Sequence, residues 1–433
     1  MSYIIQHVTV EGLWGVKSFD TDFHTDINIL IGQNGSNKTT FINLIEGCLT
    51  LDRRVFLQIP FEKVVFFLRD EQDAFEKLIV ERLKEENREI VRYYFPNEGV
   101  ADVILYDDER GIFSRSMVER SSNQRITDLL NQLVKMSWLS VDRYNDQMDE
   151  RRGYEENRRM MRNAVDGKLI DLLKELAVYR LRLVEQTNKL TNELNQEALS
   201  LLLYDDQTDN FDTFTLERFA SLDAKTIETS LKRIFRRMGK KMDERIQLHI
   251  KKLMEAMDRL KHNKELYMND AIALVLINKT MTLVDLSKKY KENVDKIMEP
   301  INIYMGKLQK FIKDKKFSFS EDTGSLDISW LNKALAGKDG SPTRLSPGRL
   351  SSGEKQLLIL LTQTLLQEKQ PYVYVADEPE LSLHIEWQRD IIGAIHDMNP
   401  NAQIIVATHS PEIAGQWSQN IITMESITRY VER

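Results

Sequence analysis

The sequence predicts an α/β fold in which a mixed sheet with flanking helices is interrupted by a long helical segment. Strand-like patterns enter glycine-containing or polar loops near the N-terminus and again in the last part of the chain, and helical patterns follow them. Between the two regions, charged stretches carry apolar residues at helical spacing, with few glycines or prolines. Strands and helices on both sides of an insertion indicate one α/β unit, split in sequence and joined in space.

Length and composition favour two domains. The chain has 433 residues, of which 42% are hydrophobic, enough for two packed units. We expect residues 1–144 and 313–433 to form the two parts of the α/β domain, and residues 145–312 to form a helical arm or bundle. The longest helix expected there covers about residues 226–262, roughly 55 Å at the standard helical rise. The polar segment at 204–214 is expected to turn the chain.

Charge, cysteine usage and hydropathy restrict the class of protein. The formal net charge of −7 gives no overall cationic field for tight nucleic-acid binding. The single cysteine, Cys48, excludes an intramolecular disulfide and fits a reducing compartment, and no Cys/His spacing is typical of a zinc site. The N-terminus lacks a signal-peptide pattern, and no window is long and apolar enough to span a membrane. We therefore expect a cytoplasmic protein without a membrane partner.

A phosphate-binding loop is predicted between the apolar run at 27–31 and the helical pattern at 39–50, and a simple polar turn is the alternative. Lys38 is expected to reach the β- and γ-phosphates of ATP, and the Thr39 hydroxyl to ligate Mg²⁺. Asn37 stands where the usual pattern has glycine; asparagine tolerates a left-handed backbone, which leaves the effect on ATP turnover open. The predicted nucleotide-binding residues of this loop are Gly32, Asn34, Gly35, Ser36, Asn37, Lys38, Thr39 and Thr40.

A second apolar strand, at 372–376, ends in two carboxylates. Asp377 is expected at the carboxyl end of the strand as a ligand of Mg²⁺. Glu378, the next residue, is expected to act as the general base that polarises the attacking water. Two acids after a strand also occur by chance, so this assignment depends on the motifs around it.

Two further motifs flank the acidic pair. Ser351, Ser352 and Gly353 form a small-residue turn at the start of a predicted helix, where free N–H groups bind an anion or are simply capped by serine. His409 follows a buried strand at 404–407. It is either a structural histidine or a catalytic residue that donates a hydrogen bond to the γ-phosphate.

The order of phosphate loop, serine-glycine signature, acidic pair and histidine resembles that of ABC-type ATPase heads of the SMC, RecF and Rad50 kind. The resemblance covers about residues 1–70 and 315–420. It implies an ATPase that binds ATP and Mg²⁺. It also implies a homodimer, in which Ser352 and Gly353 of one subunit close over the ATP held by the phosphate loop of the other.

The segment after the acidic pair, Glu380-Leu381-Ser382-Leu383-His384, resembles the subgroup related to overcoming-lysogenisation nucleases. The sequence continues for only about 24 residues after His409, so we expect no C-terminal nuclease domain of the kind those proteins carry. The insertion is also short for chromosome-scale tethering. Among compact ATPases without an effector domain, the sequence most resembles the ATPase subunit of the PARIS antiphage system, and next the Septu ATPase.

In PARIS the ATPase is a homo-oligomer that holds a toxic nuclease inactive and releases it on sensing a phage protein. The resemblance therefore implies a sensor and scaffold in antiphage defence, with ATP turnover driving a conformational switch. The implied partners are a nuclease or toxin effector, a phage trigger protein, and further copies of the chain in a dimer or a higher even oligomer such as a hexamer.

The competing function is a DNA-repair or DNA-binding ATPase of the RecF or Rad50 kind. A basic segment at 232–241, with Arg245, Lys251 and Lys252 beyond it, can contact DNA phosphates from the helical arm, or it is a solvated helix face. A transporter ATPase shares the motifs, but the long insertion and the Leu-His pair count against it. Gln58 is either a metal-sensing glutamine or a surface residue.

Overall fold

The protein is described by a computed structural model that divides into two compact units. One unit comprises Met1–Tyr179 and Pro300–Arg433, and the other comprises Arg180–Glu299. The described residues are 3–70, 72–85, 88–107, 117–138, 154–201, 203, 229, 244–262, 267–331, 344–381 and 383–430. Every described strand belongs to the first unit. The predicted α/β class is confirmed, and the predicted domain boundaries stay predictions.

A five-stranded parallel sheet carries the predicted nucleotide motifs. Its strands, in spatial order, are β13 (Ile421–Thr423), β3 (Ile27–Ile31), β12 (Gln403–Ala407), β11 (Val373–Asp377) and β8 (Met136–Trp138). Nearly every residue of β3, β11 and β12 is buried, as expected for a parallel sheet covered on both faces. Because parallel strands point the same way, the loops that follow β3, β11 and β12 lie at one edge.

A seven-stranded antiparallel sheet packs in the same unit. Its strands, in spatial order, are β14 (Thr428–Tyr430), β2 (Lys17–Asp22), β1 (Ile4–Leu13), β4 (Lys63–Arg69), β5 (Phe75–Glu85), β6 (Arg88–Phe95) and β7 (Gly99–Asp107). The sheet therefore contains strands from both ends of the chain, and β14 and β7 form its edges.

One apolar core joins the two sheets through the helix that follows β3. That helix, α1 (Lys38–Thr50), buries Phe41 against Phe19 of β2, with ring centroids 5.2 Å apart. Cys48 is fully buried, and its carbonyl accepts a hydrogen bond from the Tyr93 hydroxyl at 2.9 Å. Burial raises the pKa of the Cys48 thiol, so it behaves as a small core residue. Two further helices are α2 (Arg53–Gln58), whose Gln58 is exposed, and α3 (Met117–Leu133).

The longest described helices are α4 (Tyr154–Ser200) and α6 (Met268–Phe311), with 47 and 44 residues. Within the second unit they are joined by the Thr191 and Tyr290 hydroxyls, 2.5 Å apart. The prediction that the longest helix covers 226–262 is wrong. Helix α5 (Glu244–Lys261) accounts for the end of that range, and most of 226–243 lies outside the described residues. Helix α4 has a weak one-sided apolar pattern, so periodicity does not reveal its length.

The second half of the α/β unit begins with the antiparallel hairpin of β9 (Lys315–Phe319) and β10 (Leu326–Trp330). It continues with α7 (Ser352–Leu366), α8 (Ile385–Met398), α9 (Pro411–Gln416) and α10 (Met424–Ile427). The polar segment at 204–214 lies outside the described residues. None of the described helices is long and apolar enough to cross a membrane.

Candidate nucleotide-binding site

The predicted phosphate loop connects β3 to α1 with its central residues open to solvent. Asn34 and Gly35 are exposed, and Gly35 has a φ of 83°, which glycine adopts without strain. Ser36 donates its backbone N–H to the Gln33 carbonyl at 3.1 Å, which closes the turn. The Ser36 hydroxyl is buried and has no hydrogen-bond partner among the described residues. A ligand that sits in the loop can supply that partner.

Asn37 takes the left-handed backbone conformation that the glycine of the usual motif would take. Its φ and ψ are 71° and 27°, and its carbonyl accepts the Phe41 N–H at 2.9 Å, so α1 begins normally behind it. The Asn37 side chain does not cap the helix. Its Oδ1 instead accepts a hydrogen bond from Lys17 Nζ, on β2, at 2.7 Å.

Lys38 lies folded over the loop that precedes it. Its Nζ donates to the carbonyls of Gly32 at 2.9 Å and Gln33 at 3.3 Å, and the residue is almost fully buried. Thr39 is exposed and Thr40 half-buried in the first turn of α1. An ammonium held by two carbonyls beside the first free N–H groups of a helix forms a positive concavity suited to phosphate.

The acidic strand end meets this loop. Asp377, the last residue of β11, has its side chain beside that of Thr39, close enough for Thr39 to lower its pKa. Burial raises the pKa of Asp377; the neighbouring Glu378 and Glu380 add to the rise, whereas Thr39 and the charge of Lys38 oppose it. Its Oδ1 is buried without a hydrogen-bond partner among the described residues.

The pair Thr39 and Asp377 fits Mg²⁺ by its chemistry. The two residues offer hard oxygen atoms, and Oδ1 of Asp377 has no hydrogen-bond partner in the part of the chain that the structure describes. In such sites Mg²⁺ is held by one or two protein groups together with phosphates and waters, rather than by an all-protein cage. Among the described residues, no group of three or more His, Cys, Asp or Glu residues could hold a metal ion.

Glu378 and His409 are neighbours. Glu378 Oε1 lies 3.9 Å from His409 Nε2, and both side chains are partly exposed. The Glu378 backbone has a φ of 47°, and its N–H donates to the Ala407 carbonyl of β12 at 2.8 Å. The carboxylate and the imidazole therefore project at the same edge from adjacent strands.

Glu380 is a residue of this site that sequence reasoning missed. It is buried, and its Oε1 accepts hydrogen bonds from Thr408 Oγ1 at 2.5 Å, His409 N at 3.1 Å and Ser410 N at 3.2 Å. Gln388 of α8 completes the network, since its Oε1 accepts from Ser410 Oγ at 2.9 Å. The only sequence feature that points to it is a third acid two residues after Glu378, with Pro379 between them.

The signature turn lies at the N-terminus of α7 and is a capped helix start. Ser351 Oγ accepts from Glu354 N at 3.3 Å, and Glu354 Oε2 accepts from Ser351 N at 2.8 Å, which forms a capping box. Ser352 is exposed, whereas Gly353 is buried. Among the described residues, no hydrogen bond joins this turn to the phosphate loop of the same chain.

The buried ammonium group of Lys315 stabilises the capping box. Lys315 of β9 donates to Glu354 Oε1 at 2.6 Å and lies 4.4 Å from the centre of the Trp330 ring. Lys355, next to Glu354, pairs with Asp166 of α4 at 2.6 Å. The signature turn is therefore held by fixed side chains on two sides.

A cavity of about 640 Å³ opens beside the phosphate loop. Its walls come from Gly32 and Gln33, from the 408–411 turn that carries His409, and from β13 and α10. Glu425 of α10 accepts the Gln33 N–H at 3.0 Å, and this backbone hydrogen bond lowers the pKa of Glu425. Glu425 is a second residue near the site that sequence reasoning missed.

The model of the AAA ATPase domain family matches residues 4–414. The chain belongs to this family. Membership confirms, at the level of the family, the prediction that the chain is an ATPase, and it agrees with the phosphate loop and acidic strand end described above.

Two curated relatives of this AAA ATPase are named "Retron Vc95 probable ATPase", of Vibrio cholerae serotype O1 biovar El Tor, and "Retron Ec83 probable ATPase", of Escherichia coli. They are 28% and 30% identical over 165 residues, which is 33% and 34% of this chain. The match covers 32% and 30% of the relatives, so the chain spans about a third of the length of the curated relatives it matches.

Solved structures similar to this AAA ATPase include two Smc head domains. One, from Pyrococcus furiosus and bound to the C-terminal domain of ScpA, is 15% identical with a TM-score of 0.42, and 99% of this chain and 96% of that one are covered. The other, from Pyrococcus yayanosii, is 15% identical with a TM-score of 0.39 and covers 99% and 97%. At this level the likeness carries no conclusion about function or assembly.

Proposed function

We propose that this AAA ATPase binds ATP with Mg²⁺ at the edge where β3, β11 and β12 end, and hydrolyses it between two copies of the chain. One observation carries the proposal. The loop that holds Lys38 lies against Asp377 through Thr39, and Glu378 and His409 lie 3.9 Å apart at the same edge. This arrangement supports the proposal that a phosphate-binding loop, hard oxygen ligands for Mg²⁺ and a base act at one point.

In this proposal the phosphates lie in the loop formed by Gly32, Asn34, Gly35, Ser36, Asn37, Lys38, Thr39 and Thr40. Its backbone N–H groups and the N-terminus of α1 meet the phosphate oxygens, and Lys38 adds a positive charge. Thr39 and Asp377 would hold Mg²⁺, which neutralises charge on the phosphates when it is bound.

Glu378 is the proposed general base. Its partly exposed carboxylate can accept a proton from the water that attacks the γ-phosphate, and a positioned base of this kind contributes about 10²–10⁴ in rate. His409, held beside it by its backbone bond to Glu380, can donate a hydrogen bond to the γ-phosphate oxygen as charge develops there.

The second half of the proposed site comes from another copy of the chain. The first N–H groups of α7 have no partner within the helix. The Ser351 hydroxyl already accepts the Glu354 N–H, and no described residue accepts a hydrogen bond from the backbone N–H of Ser352 or Gly353. We propose that Ser351, Ser352 and Gly353 close over the γ-phosphate bound to the partner copy, so that ATP lies between two chains.

We further propose that the ATPase acts as a sensor and scaffold in antiphage defence, as in the PARIS-like interpretation. It would hold a toxic nuclease effector and release it on detecting a phage protein, with ATP turnover switching the assembly. The order of motifs and the similarity to two proteins named as retron ATPases support this role. The effector, the trigger and an even oligomer larger than a dimer are parts of the same proposal.

The DNA-repair alternative depends on the basic segment at 232–241, which lies outside the described residues. The described Lys251 and Lys252 are exposed on α5, and Lys252 pairs with Glu255 at 3.0 Å. That arrangement is an ordinary solvated helix face, so no described contact favours DNA binding over the proposed role.

The proposed catalytic assembly is tested with Glu378→Gln. The amide cannot accept the proton of the attacking water, so we expect ATP turnover to fall at least about a hundredfold. Binding should persist, so the variant should accumulate as an ATP-bound dimer in native mass spectrometry. Glu412→Gln, which removes a carboxylate that pairs with Arg389 near the surface, is the matched control, and its ATP turnover and assembly state should match those of the unmodified chain. Turnover at the unmodified rate in Glu378→Gln would refute the assigned base.

The proposed biological role is tested by expressing the chain with its neighbouring gene and challenging the cells with phage. We expect plaque numbers to fall with the unmodified chain and to recover with Glu378→Gln, and the neighbouring protein to copurify as a nuclease. An ATP-dependent dimer that binds duplex DNA with a strong salt dependence, and carries no protein partner, would instead establish the repair function.

A further inference from the structure

An exposed aromatic ring and a lysine form a pair beside the phosphate loop, and neither takes part in the chemistry proposed above. Tyr430 of β14 is opposite Lys17 of β2 in the antiparallel register. Lys17 Nζ lies 5.7 Å from the centre of the Tyr430 ring and donates to Asn37 Oδ1 at 2.7 Å. One ammonium group therefore links the ring to the residue that precedes Lys38.

The ring is placed to meet a ligand and contributes little to the core. Tyr430 is 72% exposed, on a strand at the edge of the antiparallel sheet. Single exposed aromatics are common and by themselves indicate nothing. Here the ring has a fixed neighbour, because a lysine held over an aromatic face is attracted by its quadrupole. Lys17 in turn contacts the phosphate loop through its hydrogen bond to Asn37.

The side chain of Asn37 gains a role in this arrangement. A glycine at this position would fit the left-handed backbone without a side chain, so it would leave Lys17 without its acceptor on the loop. Asparagine tolerates the same backbone and presents a carbonyl oxygen to Lys17. Its presence in place of glycine thereby couples β2 and β14 to the loop.

We propose that Tyr430 stacks on the base of the bound nucleoside triphosphate, and that Lys17 fixes the ring and adds positive charge between the base and the loop. This inference rests on the proposed nucleotide site. Stacking on an aromatic face is tolerant of base identity, since every base has a π-face. The pair therefore favours any nucleotide over a ligand without a base, and it does not distinguish one base from another.

The test is calorimetric titration of the full chain, with Mg²⁺, against ATP and against inorganic tripolyphosphate, which has no base. In Tyr430→Ala we expect ATP to bind about tenfold more weakly and tripolyphosphate to bind as it does to the unmodified chain. Tyr430→Phe keeps the ring and should keep the affinity for ATP. Asn37→Gly releases Lys17 and should weaken ATP in the same direction as Tyr430→Ala.

Lys38→Ala separates this inference from the site it rests on. If Lys38→Ala removes binding of both ligands while Tyr430→Ala binds ATP normally, the phosphate loop stands and the stacking role is overturned. Equal weakening of ATP and tripolyphosphate in Tyr430→Ala also overturns it, because the ring would then act on the phosphates. If Lys38→Ala changes neither affinity, the proposed nucleotide site itself is overturned.

Discussion

Replacing Glu380 with alanine should loosen the turn that carries His409. The buried Oε1 of Glu380 accepts three hydrogen bonds from this turn, two of them from the N–H groups of His409 and Ser410. A hydrogen bond to a charged group contributes about 1.5–3 kcal/mol net. Truncation removes this acceptor from the buried Thr408 hydroxyl and from the His409 N–H, whereas the Ser410 N–H keeps Thr408 Oγ1 as a second acceptor at 2.9 Å. Taking the lower figure for the Thr408 and His409 bonds gives about 3 kcal/mol. That energy corresponds to roughly a hundredfold in the equilibrium for local opening.

Native-state hydrogen exchange measures this opening directly, even in a chain of this size whose global unfolding need not be two-state. In Glu380→Ala we expect the His409 and Ser410 amides to exchange about a hundredfold faster. Glu380→Gln keeps an acceptor but loses its charge, so its amides should exchange at an intermediate rate. ATP turnover should fall in the same order, because the histidine is no longer held beside Glu378.

The matched control is Glu412→Gln on α9, close in sequence to the same turn. Glu412 pairs with Arg389 at 2.9 Å near the surface, and such pairs contribute about 0–1 kcal/mol. Exchange at His409 and Ser410 should be unchanged in this variant. Amides in Glu380→Ala that exchange as slowly as in the unmodified chain would refute the view that this carboxylate holds the turn.

Two further predictions concern buried charges near the site. Asp377→Asn should abolish ATP hydrolysis yet raise the midpoint of thermal unfolding at neutral pH, because burial raises the pKa of this carboxyl and the ionised form is disfavoured in the fold. The protonated carboxyl of Asp377 contributes fully to the stability of the fold below its unfolded-state pKa, and this contribution is lost as pH rises through the higher folded-state pKa. The gain in stability of Asp377→Asn over the unmodified chain should therefore grow with pH across that range. A gain that does not depend on pH would contradict the assignment. Lys315→Met should lower the free energy of unfolding by about 3–5 kcal/mol in urea titrations, because Glu354 is left buried without its cation. The double variant with Glu354→Gln should recover part of that loss, and additive losses would show that the two side chains do not interact.

The parts of the site that could be predicted are those formed by residues that are adjacent in sequence. An apolar run, a glycine-containing loop and a helical pattern predict β3 and α1, and the structure has them at Ile27–Ile31 and Lys38–Thr50. The apolar run before Asp377 predicts β11 in the same way. Each of these elements is specified by its own residues, through burial of a short strand or a one-sided helix.

The parts that could not be predicted depend on partners distant in sequence. The bond between Glu380 and the 408–410 turn requires β11 and β12 to be neighbours, and the pairing of Lys17 with Tyr430 requires β14 to join β2. No local pattern encodes either neighbour. Strands β4 to β7 were not predicted for a related reason: their charged residues alternate with apolar ones only in part, so their extent becomes clear only from the pairing.

The two left-handed residues at this edge differ in what maintains their conformation. Asn37 belongs to a residue type that tolerates φ near 71°, and its side chain binds Lys17. Glutamate has no such tolerance, so Glu378 at φ 47° carries strain of about 1–2 kcal/mol. The Glu378 N–H donates a hydrogen bond to the Ala407 carbonyl at 2.8 Å, and the Glu378 carbonyl accepts one from the Leu381 N–H at 3.0 Å. Backbone strain of this kind persists only where the surrounding structure fixes the conformation. The same sharp bend after β11 lets Glu380 reach the 408–410 turn. A residue that relaxed the bend would therefore disturb the base and the support of the histidine together, which accounts for a strained glutamate at this position.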